Sequence, residues 1–144
     1  MGKFVYNNEN HKNKKTTDCV IRALKTVLDI DIKTIIYELT DIYIKTGFYI
    51  SDPKCYDKYL TSKGYTKMKQ PRHSDKSKFT AEEFCDYLNH LYDIKGDIVA
   101  HVGGHHITTF VNEGTEIEPN YKIYDIWDCS NKCVGNWWCR ERRI

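Results

Sequence analysis

Apolar residues recur at helical spacing through the N-terminal part of the chain and break into short strand-like runs after Asp97. Val20, Ala23, Leu24, Val27 and Leu28 fall on one stripe, which predicts a helix from about Thr17 to Asp29. Ile35, Ile36, Leu39, Ile42 and Tyr43 repeat the spacing over Ile32–Lys45, with Gly47 available to end that helix in the left-handed conformation. Two shorter helices are predicted near Lys54–Ser62 and Ala81–Leu91. Between them, residues 67–78 carry Pro71 and the cations Lys67, Lys69, Arg72, Lys76 and Lys78 without any apolar period. They read as a solvated surface loop that can border a cleft.

The later runs, Ile98–Val102, His106–Val111, Tyr121–Trp127 and a weaker Lys132–Trp138, predict an antiparallel sheet. Glu113-Gly114-Thr115-Glu116 and Pro119-Asn120 supply the turn that lets the second and third runs pair as a hairpin. Side chains alternate along a strand, so a cleft-facing His106 brings Thr108 and Phe110 to the same side. On the next strand Asp125 shares a face with Ile123 and Trp127 and opposes Tyr124, Ile126 and Asp128. Regular geometry therefore lets Asp125 or Asp128 meet the histidine, but not both. The resulting class is α+β, with N-terminal helices packed on a C-terminal antiparallel sheet.

Composition narrows the choice. With 144 residues, 40% hydrophobic and 29% charged, and no Pro/Gly/Ser-rich linker, the chain is expected to form a single domain over residues 1–144. A net charge of +2 argues against wholesale nucleic-acid binding, although Lys3, Lys12, Lys14 and Lys15 at one end and Arg140, Arg142 and Arg143 at the other are local basic clusters, read as solvated tails. No apolar run is long enough for a signal peptide or a membrane span, and Tyr6 stands where a myristoylation signal needs Ser or Thr. A cytoplasmic location, no membrane partner and no removed pro-segment before Cys19 are the expectations.

Without an export signal the six cysteines are expected to be reduced thiols. Cys55 and Cys85 sit within helical apolar patterns and read as structural. Cys129, Cys133 and Cys139 with a histidine could in principle ligate zinc, but they contain no CxxC pair, so no metal and no cofactor is expected. Trp127, Trp137 and Trp138 read as core and rim packing.

Cys19 differs from the others. In Thr16-Thr17-Asp18-Cys19-Val20-Ile21-Arg22, either threonine can cap the first turn and Asp18 can pair with Arg22 at i+4. The thiol is left at the positive end of a helix dipole, where it ionises more readily. His106 lies on a later strand, with His101 and His105 as rivals, and Gly103-Gly104 before it marks a turn or a close backbone approach. Cys, His and Asp in that order on helix, strand and strand are the parts of a nucleophilic acyl-transfer site, in which an imidazole moves the proton and a carboxylate orients the imidazole. The backbone N–H of Cys19 can stabilise an oxyanion, and Asn13 is the candidate second donor.

This layout resembles the papain-like cysteine peptidase superfamily. Asp18-Cys19-Val20-Ile21-Arg22-Ala23-Leu24, His106-Ile107-Thr108, Ile123-Tyr124-Asp125-Ile126-Trp127-Asp128-Cys129-Ser130 and Val134-Gly135-Asn136-Trp137-Trp138 are similar to small proteins of that fold encoded by bacteriophages and gut bacteria. The resemblance spans nearly the whole chain. It implies Cys19 as nucleophile, His106 as general base and acid, and Asp125 as orienting carboxylate. Asn13 falls where papain-like enzymes carry an oxyanion-hole glutamine. It also implies a hydrolase of peptide, isopeptide or side-chain amide bonds that works through a thioester, with a protein or peptide substrate, phage-encoded and directed at a host protein. The alternative is a protein-binding module that keeps the scaffold without the chemistry, since one constellation serves many functions.

Overall fold

A computed structural model describes residues 2–91 and 93–141, with Glu141 described in its backbone only. Arg142 and Arg143 lie outside the described residues. The element order is β1 (Phe4–Tyr6), α1 (Cys19–Leu28), α2 (Ile32–Thr46), α3 (Pro53–Ser62), β2 (Thr66–Met68), α4 (Ala81–Asn89), β3 (Ile94–Val102), β4 (His106–Asn112), β5 (Tyr121–Asp125) and β6 (Val134–Glu141). The described strands form one six-stranded sheet in the order β1-β5-β4-β3-β6-β2. The class is α+β, as the periodicity predicts, but the sheet is mixed, because β1 runs parallel to β5 while the other pairs are antiparallel.

Local chemistry explains most helix ends. Asp31 accepts a hydrogen bond from the Lys33 N–H at the start of α2, and Gly47, with φ +81°, closes it. Asp52 caps α3, which opens on Pro53, and Thr80 and Glu83 form a reciprocal capping box at α4. Helix α1 is the exception. It begins at Cys19, two residues later than expected, and Asp18 rather than either threonine occupies the cap position without making a side-chain capping bond.

The sheet separates two cores. Phe79, Phe84, Cys85 and Leu88 from α4 and the residues around it pack with Ile98, Ala100, Phe110, Ile123 and Trp137 on one face. Val20, Leu24 and Val27 of α1, Ile35 and Leu39 of α2, and Cys55, Tyr56 and Leu60 of α3 pack with Val99, Ile107 and Trp138 on the other. Burial of this apolar surface, at about 25 cal/mol per Å², is the main stabilising term. Tyr43, expected on the buried stripe of α2, is instead 40% exposed and packs edge-on against Tyr49.

Several strand limits depart from the expected ones for visible reasons. Strand β3 starts at Ile94 instead of Ile98, since a register shift between Lys95 and Val99 carries the pairing past Gly96 and Asp97. Strand β5 ends at Asp125 instead of Trp127, because the Asp125 carboxylate accepts the Ile126 N–H at 2.7 Å and turns the chain out of the sheet. Strand β6 runs from Val134 to Glu141, beyond the expected Lys132–Trp138. The first residues of the supposed basic loop belong to β2, which pairs with β6, and Arg72 bridges back to Lys78. Among the described residues no helix is long and apolar enough to cross a membrane.

Candidate active site

Asp18 leaves the start of α1 uncapped because its carboxylate is engaged elsewhere. Asn10 donates to it at 2.7 Å, and the Arg22 guanidinium lies 3.3 Å away one turn on. Asn10 also accepts the backbone N–H groups of Lys12 and Lys14, so residues 10–18 are gathered on this one side chain. The first turn of α1, which begins at Cys19, thus receives no hydrogen bond from its cap side chain.

Strands β4 and β5 bring the partner residues to the same end of the sheet. Thr109 pairs with Tyr124 and Phe110 with Ile123. Stepping back by two residues sets Asp125 on the face of Thr108 and, diagonally, of His106. The His106 Nε2 meets the Asp125 carboxylate at 2.5 Å, with Asp125 only 6% exposed. Asp128 instead accepts from the Ser130 N–H and hydroxyl and makes no contact with the histidine. Phe110 does not face a cleft, as alternation predicted; it is buried against Phe84. The open part of that face lies at the beginning of β4, where the His106 ring packs 4.9 Å from the exposed Trp127.

Hydrogen bonding to His106 and to the Ile107 N–H favours the ionised form of the Cys19 thiol. Burial pushes the Cys19 thiol up, but these two bonds and the charges of His106 and Arg22 outweigh it and hold the thiol below its ordinary value. Burial likewise pushes His106 down. Its bonds to Asp125 and Cys19, and their negative charge, overcome that and raise the imidazole to about 9. Such an arrangement can hold a thiolate–imidazolium pair in a half-buried site.

The rival histidines fall elsewhere. His105 is exposed in the β3–β4 turn. His101 faces the Tyr56 hydroxyl across a short hydrogen bond, and burial, helped by the nearby Lys67 charge, keeps its imidazole below the ordinary value. Asn13 is exposed, holds a positive φ of 56° and offers its side-chain oxygen to Asn8; it lines neither of the two pockets that Cys19 lines. One of these is a hole of about 10 Å³ behind the thiol, room for a single water, bordered by Arg22, Thr26, Thr108 and Asp125. The other is an open cleft of about 340 Å³ formed by residues 16–21 and Tyr49, Ile50 and Ser51.

Three features lay beyond sequence reasoning. Arg22 was visible only as an i+4 partner, whereas it is 7% exposed with its Nη1 lacking a hydrogen-bond partner next to the thiol. The Ile107 N–H is a backbone group with no residue-type signal. Tyr56, raised above the ordinary phenol value by burial and by the negative field of Cys19, lies 45 positions from His101 in sequence. No disulfide joins the cysteines, and no group of three or more His, Cys, Asp or Glu side chains among the described residues is placed to hold a metal ion. Compared with protein-family models, with curated proteins and with solved structures, the chain matches none.

Proposed function

We propose that the protein is a cysteine-dependent hydrolase of the papain-like type, cleaving a peptide, isopeptide or side-chain amide bond through a thioester. The observation that carries this reading is the chain of contacts Cys19–His106–Asp125, in which the thiol is lowered and the imidazole raised toward a common ion pair. Asp125 occupies Nε2 of His106, which leaves Nδ1 as the nitrogen for the thiol. The Cys19 thiolate attacks the carbonyl carbon, and the negative charge that develops on oxygen is met by the Cys19 N–H at the uncapped helix start. The carbon–nitrogen bond then breaks as the imidazolium hands its proton to the departing amine. Neutral His106 next takes a proton from water, whose oxygen displaces the thiolate and releases the acid. Asp125 keeps its charge throughout and holds the ring in register.

Asn13, the candidate second oxyanion donor, accepts from Asn8 through its side-chain oxygen, so its amide nitrogen would have to swing toward the thiol to take that role. The 340 Å³ cleft, with Val20, Ile21, Tyr49 and Ile50 along it, suits an apolar group of the substrate next to the scissile bond. A phage origin and a host protein as target belong to the same reading and come from the sequence resemblance alone.

The test is the pH dependence of Cys19 alkylation by iodoacetamide, followed by mass spectrometry of the labelled peptide in wild type and His106→Ala. Rapid labelling well below the free-thiol pKa of about 8.5, lost in the variant, is the expected result. An ordinary thiol profile in both proteins would overturn the hydrolase reading in favour of a binding module.

A further inference from the structure

Strands β3 and β6 fall out of step between the pairs Ala100↔Trp137 and Val102↔Val134, so that His101 alone opposes Gly135 and Asn136. A bulge of this kind bends the strand and re-aims the side chain at its centre. Gly135 permits the close pass, since a Cβ there would stand 3.3 Å from the Cβ of His101. Beside it, β3 turns into β4 through Gly103 and Gly104, whose φ values of +63° and +87° other residues adopt only with strain. A cleft of about 510 Å³ opens over this bulge, with His101, Gly103, Gly104, Gly135, Gln70 and Lys78 on its walls.

Two contacts tie the cleft to the site. His101 is hydrogen-bonded to Tyr56, which lies in the field of the Cys19 thiol. Gly104 is separated from His106 by one residue, so the same turn forms a cleft wall and leads into the imidazole. The charged residue among those that line the cleft is a lysine, with two more lysines close to it. Lys78 lines it, the Lys132 side chain would stand 3.8 Å from a Cβ placed on Gly103, and Lys67 is near enough to act on His101. No Asp or Glu stands among the described residues that line it. In a chain whose net charge is +2, this is a local arrangement and not a reflection of overall basicity.

We propose that this cleft is the subsite for an acidic stretch of a polypeptide substrate, held extended beside Cys19. The inference rests on the hydrolase reading and names its substrate class. The three glycines present main chain without side chains, which lets a second backbone come close, and the lysines on the rim pair with carboxylates. A nucleic acid fits less well, because no Phe, Tyr or Trp among the described residues lines the cleft and the one ring there, His101, is held by Tyr56.

The experiment uses Cys19→Ala protein, so that nothing is turned over, and follows by fluorescence anisotropy the binding of a fluorescein-labelled peptide pool rich in Asp and Glu. Its Asn/Gln counterpart is the control. The acidic pool should bind about tenfold more tightly at low salt, with the difference shrinking as salt is added. The double variant Lys78→Glu/Lys132→Glu, checked for folding by thermal unfolding, should lose or reverse that preference. Equal binding of the two pools, or a preference untouched by the double variant, would overturn the proposal. So would a single-stranded oligonucleotide of matching charge that outcompetes the acidic pool. The hydrolase reading fails on a different result, an ordinary alkylation profile of Cys19, and the two failures are therefore distinguishable.

Discussion

Cys19 and Cys85 occupy opposite faces of one sheet and teach what burial does with and without donors. Both thiols are taken from water, and in both burial favours the neutral form. Beneath α4, Cys85 is fully buried among apolar residues, and its thiol is pushed up to about 12. At the start of α1, Cys19 is held below its ordinary value because His106, the Ile107 N–H and Arg22 converge on it. The polar corner differs from the apolar layer in the donors supplied to the sulfur, not in the direction of the burial effect. A thiol held in its neutral form and one shifted toward its thiolate thus sit in the same small fold.

The comparison can be broken most severely at the carboxylate. Asp125→Asn should lower the rate of Cys19 alkylation near pH 6 by about 10²-fold or more, because the amide can no longer stabilise an imidazolium. An unchanged rate would remove Asp125 from the site. Next in size is Phe84→Ala in the apolar layer, which should cost about 3–5 kcal/mol in thermal or denaturant unfolding while leaving the pH profile of Cys19 labelling in place. Loss of that profile in the still-folded variant would show that the two faces are not independent.

A pH series sharpens the electrostatic side. His106 titrates in the folded protein near 9, above its unfolded value of about 6.5, so its contribution to stability is complete below about 6.5 and is lost as pH rises through 9. Turnover of any amide substrate should fall over the same upper range, as the leaving group loses its proton donor. An NMR titration of His106 centred near 6.5 would contradict this. The smallest effect is expected at Cys85→Ala, about 1–2 kcal/mol of stability from the lost sulfur contacts and none on Cys19 reactivity.

Much of the layout was legible in the chain. The stripes of α1 and α2, the shorter helices near Lys54–Ser62 and Ala81–Leu91 and the later strand runs mark the main elements within a few residues, because each is written locally in apolar periodicity. Strands β1 and β2 escaped notice. Each is three residues long, β1 (Phe-Val-Tyr) too short to show a period and β2 (Thr-Lys-Met) with little apolar signal, and both form strands only at the edges of the sheet. The choice of Asp125 over Asp128 was open in the sequence and follows from the register Phe110↔Ile123, which puts Asp125 on the histidine's face and leaves Asp128 to the Ser130 turn.

What the chain determined by itself was therefore the set of helices, the α+β class and a short list of candidates, Cys19 with His106 or a neighbouring histidine and Asp125 or Asp128, since those depend on near neighbours and on side-chain alternation. Tertiary structure alone decided that His101 belongs to Tyr56, that Asn13 turns to Asn8, that Arg22 is buried behind the thiol and that a bulge opens a lysine-rimmed cleft. The Tyr56–His101 contact spans 45 positions, the bulge is a shift of a single residue in strand pairing, and the Asn8 and Arg22 contacts depend on how the segment before α1 packs. No local pattern encodes them, because their geometry exists only once the sheet and helices have packed.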